Sequence, residues 1–421
     1  MFSIGLVRWQ IASIPVRSLF IVMGLGVVWM FYARLITLIL RAHQIKFIII
    51  GIAALLGVTS SVLVHDPPLA IARQVFEIHI QAAITLLFAV AVILTHGVRW
   101  TAKALIICLS ISGFIAILQA LHVGPAWDLR ELAARIQGEG SLKVSFLDER
   151  VRPMGLANNP VNLGTHICLL ACAAWAYCLR DRGTEIFKQL DWRIVAAVFV
   201  CVVFSMASEN RSPILGLGLF SMVYAILIGG RIAVATIGGL LILIPLLPII
   251  MASGDAEGMR IASTDDGSAV GRIVLVKHGI RLFLERPMGY GLNFNPTSHW
   301  TSSWEDLQTM DNAKIIRNQA LHNYFLNCLN KYGVGIIFVG AWAVFYMIRD
   351  WRVYLPLIAY VAHIAYHNDG PLQADFLIWY FLPLMTIAFD EFEMEREQQA
   401  VALAEEAPPD PHRAAYGPSS G

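Results

Sequence analysis

Charge is what this sequence has least of. Only 14% of its 421 residues are Asp, Glu, Lys or Arg, against roughly 25% in an ordinary soluble domain. Acids and bases nearly cancel, at a formal net charge of +1, which by itself says nothing about an acidic partner, and nothing in the sequence suggests nucleic-acid binding. Also missing is the cysteine and histidine spacing of a zinc site. Cys108, Cys168, Cys172, Cys178, Cys201 and Cys328 all fall inside apolar runs, without a CxxC pair, and read as small hydrophobes. No nucleotide-binding loop, Ser-His-Asp set or HExxH pattern occurs either.

What is present is apolar length. Hydrophobic residues make up 57% of the chain, and its mean hydropathy is +0.63. A membrane span needs about 20 apolar residues, because backbone groups must find their partners within the hydrocarbon. Candidate spans lie near 16–40, 46–64, 79–98, 102–123, 161–179, 194–208, 213–230, 232–252, 321–348, 353–366 and 371–389. The first run is too long for the apolar core of a signal peptide and lacks a small-residue cleavage site, so it is expected to be retained. The expected fold is all-α: a polytopic transmembrane helical bundle of about 11–12 spans, with a large outer loop containing an amphipathic helix. Residues 1–252 form the first part of the bundle, including an outer loop at 124–160. The large loop covers 253–321, the C-terminal spans 322–390, and a disordered cytoplasmic tail 391–421.

The few charges sit between the spans. Arg41 with Lys46, Arg99 with Lys103, the 180–193 segment, Arg231, and Arg349 with Arg352 mark the cytoplasmic side by the positive-inside rule. The outer side then receives 65–78, 124–160, the Glu209-Asn210-Arg211 break, 252–321 and 367–375. An odd span count conflicts with Arg8 and Arg17, which favour an inside amino terminus.

The 252–321 break is the longest polar interruption, and chemistry is expected there. Across Ser268 to Glu285, Ile273, Val276, Ile280, Phe283 and Leu284 recur at helical spacing, with Arg272, Lys277, His278 and Arg281 between them. Ser268 is placed to cap this helix, and Pro287, Gly289 and Gly291 to end it in a turn. Such a helix suits the membrane-water boundary, with its cations exposed.

Three residues stand out. Arg211 precedes Ser212 and Pro213, expected as cap and first position of a span, so it lies beside a helix amino terminus that favours an anion; the plain alternative is an arginine snorkelling to headgroups. Arg272, with Lys277 and Arg281, offers a guanidinium fork that matches phosphate oxygens in pairs; the alternative is a solvated cationic face. His322 opens a helix with Asn323, Asn327 and Asn330 at i, i+4 and i+7. Polar groups at membrane depth face a cavity or a partner helix, and a neutral imidazole there can accept a hydroxyl proton. His367, Asn368 and Asp369 either line the same cavity or simply connect helices. Asp265 and Asp266 read as a solvated turn rather than a metal site.

These residues carry a resemblance. The segment Arg152-Pro153-Met154-Gly155-Leu156-Ala157-Asn158-Asn159-Pro160 resembles the Arg-x-x-Gly-x-x-x-Asn-Pro run before a mid-chain span in the O-antigen ligase and polymerase superfamily. Asn210-Arg211-Ser212-Pro213 is similar to its outer Ser-Arg motif, although asparagine stands where the family usually has serine. Gly271-Arg272-Ile273 through Pro287-Met288-Gly289-Tyr290-Gly291 resembles its loop helix and closing turn, and His322-Asn323 with Gly333 its ligase signature.

The resemblance implies a metal-independent, cofactor-free, inverting glycosyltransferase of the bacterial inner membrane, with its site facing the periplasm. Its donor would be a glycan on undecaprenyl diphosphate and its acceptor the lipid A core or a growing glycan, with membrane lipids around it. Arg211 and Arg272 would hold the diphosphate and His322 would orient or deprotonate the acceptor hydroxyl, while Lys277, Arg281, Asn323 and Asn327 would complete the substrate-binding set. A repeat-unit polymerase would use the same donor handle. A lipid or glycan transporter ranks lower, since no internal repeat is visible.

Overall fold

The computed structural model describes residues 10–11, 14–15, 23–26, 29–30, 36, 39–136, 152–157, 159–231, 235, 267–310, 313–317, 319–373 and 375–406. Apart from a two-residue antiparallel pair, Gln10–Ile11 with Ile14–Pro15, their regular structure is helical. Five helices are long and apolar enough to cross a bilayer: α1 (Gln44–Leu63), α2 (Pro68–His96), α3 (Val98–Ala120), α5 (Pro160–Arg182, continued by a 3-10 turn to Phe187) and α7 (Arg211–Ile228). Between α3 and α5 lies α4 (Gly124–Ile136), and α6 (Trp192–Ala207) is a shorter apolar helix. The all-helical membrane bundle is therefore as expected, and the chain is a multi-pass membrane protein.

At the centre stands α5. Its residues from Leu163 to Ala176 are continuously buried, enclosed by α3, α6, α7, α12 (Leu357–Ile364) and α13 (Ile378–Glu406). A helix apolar on every side must be so enclosed. Its start is fixed locally: Asn159 caps it by accepting from the Asn162 amide at 2.7 Å, and Pro160 occupies a first-turn position whose missing N–H costs nothing.

The two ends of the bundle differ chemically. At one end Arg180 pairs with Glu391 (2.7 Å) and Glu395, Arg193 with Asp181 (2.7 Å) and Asp191 (2.7 Å), and Arg99 with Asp181 (2.7 Å). These are the breaks assigned to the cytoplasm, and the pairs fasten α13 where it leaves the bundle. Among the described residues the opposite end is built largely from asparagines, histidines and turns, with Arg152 3.9 Å from Glu209, and the loop packs there.

Several boundaries differ from the sequence reading. The run at 321–348 is two helices, α10 (Tyr324–Tyr332) and α11 (Gly335–Arg349), broken at Gly333, whose φ is +72°. α2 begins at Pro68, so most of the expected outer connection at 65–78 is helical, with a π turn at Phe76–Ile80. α7 starts at Arg211 with Asn210 as its cap residue; Ser212 and Pro213 therefore lie inside the first turn, because the Ser212 hydroxyl is engaged elsewhere. The extension after Phe389 is helical as far as Glu406. Most of the span at 16–40, nearly all of that at 232–252, Asp265 with Asp266, and the tail beyond 406 lie outside the described residues.

Candidate active site

The end of the bundle away from the ion pairs is built on the Arg152–Pro160 segment. Gln119, buried near the end of α3, accepts from the amides of Met154 and Gly155 at 2.9 Å each and donates to the carbonyls of Ala126 (3.1 Å) and Gly155 (3.2 Å). Gly155 has φ +59°, and a Cβ there would fall 2.1 Å from the Ser112 carbonyl oxygen, so only glycine fits. Arg152 donates to the carbonyls of Ser208 (3.1 Å) and Glu209, and Asn210 Nδ2 donates to the Pro160 carbonyl at 3.0 Å. This segment thus holds the turn that presents Arg211.

Above it lies the loop helix α8 (Gly267–Glu285). It starts before Ser268, which is therefore inside the helix rather than its cap. Its inward face is Val274, Leu275, His278 and Leu282, with Val274 and Leu275 packed against Trp300 and Leu307 of α9 (Trp300–Leu307) and against Ala313 of the short helix Ala313–Ile316. His278 is fully buried, stacked on Trp300 at 4.1 Å with Nε2 3.2 Å from the Pro296 carbonyl; it is a packing residue and not one of the exposed cations. Ile273, Ile280 and Leu284 form a second apolar stripe that stays exposed. Two apolar stripes on one helix suit a layer between protein and membrane boundary.

The closing turn fixes that helix to the bundle. Tyr290 and Gly291 amides donate to the carbonyls of Asn330 (2.6 Å) and Lys331 (3.1 Å), Val334 donates to Pro287 (2.8 Å), and Ser60 Oγ to Met288 (2.7 Å). Asn330 Nδ2 adds a bond to the Gly279 carbonyl at 2.9 Å. Gly289, Gly291 and Gly333 all have positive φ at this seam.

Between α8, α10 and the end of α12 is a pocket of about 480 Å³, lined by Arg272, Ile273, Val276, Lys277, His322, Asn323, Ala365 and Tyr366. The Arg272 guanidinium lies 5.6 Å from the Tyr366 ring centre, within cation-π range. His322 has φ +49°, a left-handed backbone that costs an L-residue roughly 1–2 kcal/mol. Its amide donates to Asn368 Oδ1 at 2.6 Å. Asn368 N in turn donates to His367 Nδ1 at 2.8 Å, so the neutral His367 carries its proton on Nε2, 3.3 Å from Asn162 Oδ1.

Both histidines lie outside the spans and are held neutral. Burial pushes His322 down to about 4, with Arg272 and then His367 adding to the effect and Asp369 opposing it. Burial and Arg272 push His367 down to about 4 as well. At pH 7 His322 therefore offers a lone pair beside a fixed cation, the state a general base requires.

The pocket brings together Arg272, Lys277, His322 and Asn323. Asn323 also caps α10, accepting from the Leu326 amide at 3.0 Å. Arg281 is not in the lining; it pairs with Glu285 at 3.1 Å, half-exposed. Asn327 is buried one turn beyond Asn323, and Asn330 is spent on the seam, so the asparagine stripe is mainly the joint between α10 and the loop rather than a cavity wall. Arg211, at the start of α7, is outside the lining. Its neighbour Ser212 nevertheless bonds to His363 Nδ1 at 2.8 Å, one turn before His367. Ala365 and Tyr366 are the lining residues that sequence reasoning missed; the adjoining His367-Asn368-Asp369 turn was their one signal.

Against known proteins, residues 196–340 match the family model described as O-Antigen ligase. The chain matches no curated protein and no solved structure. The matched stretch holds Arg211, Arg272, His322 and Gly333 but not the Arg152–Pro160 segment that supports them. Over residues 196–340, then, this membrane protein is similar to the O-antigen ligase family.

Proposed function

We propose that the chain is a glycan ligase at the periplasmic face of a bacterial inner membrane, moving a glycan from undecaprenyl diphosphate to a hydroxyl acceptor, with O-antigen joined to the lipid A core. The observation that carries this reading is the shared pocket of Arg272, Lys277 and neutral His322. Diphosphate needs cations where its charge develops, and an acceptor hydroxyl needs a base.

In this reading His322 takes the acceptor proton as its oxygen attacks the anomeric carbon. The carbon-oxygen bond to diphosphate breaks on the opposite face, inverting the configuration. Arg272 and Lys277 meet the charge of the departing diphosphate, and Arg211 approaches it from the start of α7. A fixed donor of this kind contributes on the order of 10²–10³ in rate, so the reading needs no metal ion.

Purified protein given lipid-linked glycan and acceptor should release undecaprenyl diphosphate and glycosylate the acceptor, with chelator present. Arg272→Ala and His322→Ala should abolish this while the protein accumulates normally; retained transfer in both would overturn the assignment. A ladder of repeat units would instead mark a polymerase, and movement of intact donor across the membrane a transporter.

A further inference from the structure

Among the described residues, four non-glycine positions have left-handed backbones: His65, His122, Glu209 and His322. The first three share one explanation. Each follows a helix, and each lies in a paired cap: the amides of His65 and Asp66 donate to Val62 and Ser61, those of His122 and Val123 to Gln119 and Leu118, and those of Glu209 and Asn210 to Met206 and Ser205. Such caps repay the positive φ by satisfying the last carbonyls of the helix.

His322 has no helix before it to cap. Its backbone is instead held by a side chain 46 residues away, Asn368, through the 2.6 Å bond from the His322 amide. Asn368 is itself anchored: its own amide donates to His367 Nδ1, and His367 Nε2 faces Asn162 Oδ1 in the first turn of α5. The backbone direction at His322 decides where its imidazole points. A strained residue persists only where its surroundings over-determine it, and such residues gather at functional sites.

We infer that Asn368 is a positioning residue, whose carboxamide oxygen locks the left-handed backbone of His322 and so aims the imidazole into the Arg272 pocket. This rests on the reading of His322 as the base. Asn368 itself is not among the residues that line the pocket. Losing it frees the His322 backbone to relax out of the left-handed region, and the ring swings from the pocket toward solvent. Misplacement by about 1 Å costs on the order of 100-fold in rate, with donor binding by Arg272 and Lys277 left in place.

Two measurements on the full-length protein test this. In the transfer assay, Asn368→Ala should lower kcat about 10- to 100-fold with donor KM within about twofold, and Asn368→Asp, which keeps an acceptor oxygen, should recover most of that loss. Independently of turnover, histidine C2-hydrogen exchange read by mass spectrometry reports the titration of His322 in its own peptide. The charged and titratable groups facing it are Arg272 from α8 and His367 and Asp369 from the turn. In the parent protein that titration should lie near 4, and in Asn368→Ala it should rise toward 6.5, the value of a free imidazole. Parent-like titration in Asn368→Ala overturns the inference, as does an Asn368→Asp no better than the alanine variant. If the parent protein transfers no glycan, the proposed function fails, while the exchange measurement still decides the tether.

Discussion

Gly333 stands so close to Met288 that a Cβ on it would lie 2.5 Å from the Met288 carbonyl carbon and oxygen. The two residues join the closing turn of the loop to the break between α10 and α11. Gly333, which resembles the distant glycine of the ligase signature, is therefore a joint between these two segments. Because its φ is +72°, a side chain there meets both a strained backbone and an immovable neighbour.

Gly333→Ala should accordingly destabilise the protein by at least about 2 kcal/mol, read as a lower Tm in detergent. Gly340 lies inside α11 with open space around it. Gly340→Ala should fall within about 1 kcal/mol of the parent, on the stabilising side.

Gln119 is a second structural test. Replacing it by alanine takes the side-chain acceptor from the amides of Met154 and Gly155 in a buried setting. At about 1–3 kcal/mol for each orphaned group, Gln119→Ala should reduce Tm and the amount of protein in the membrane. A Tm equal to that of the parent would show that the Arg152–Pro160 segment is held some other way.

The two neighbouring loop cations should separate in a transfer assay. Lys277 lines the pocket, whereas Arg281 is paired with Glu285 on the exposed side. Lys277→Ala should weaken donor use by about tenfold or more, and Arg281→Ala should change it by less than about threefold. The reverse order would place the donor along the outer stripe of α8.

The pH dependence has a definite sign. The folded state holds His322 at about 4 against 6.5 when free, so folding favours the neutral form. Its contribution to stability is whole above about 6.5, erodes as the pH falls below that, and is gone below about 4. The base itself stays active over the same range, so kcat/KM, which reports the free protein, should be flat from pH 8 to about 5 and fall through about 4. A limb near 6.5 would mean that the ring is solvated.

Much of this was readable in advance, for physical reasons. The spans announce themselves because hydrocarbon tolerates few polar residues, and Arg272 and His322 stand out because they interrupt that rule. Which stripe of α8 faces inward was not readable. Positions 273, 276, 280 and 284 and positions 274, 275, 278 and 282 are both helical series, and only Trp300 and Leu307 on another segment decide between them. The break at Gly333 was hidden by an apolar run continuous with the next helix. Asn368 read as part of an ordinary turn, since its partner lies 46 residues away.

That same break uncouples two lengths. α11 has 15 residues, about 22 Å at 1.5 Å per residue, and is shorter than a hydrocarbon core of about 30 Å. A bilayer thicker than α11 thins around it. The pocket wall is carried on α10, stitched to the closing turn, so the relative heights of Arg272 and His322 are set by bonds within the protein and stay constant from one membrane to another.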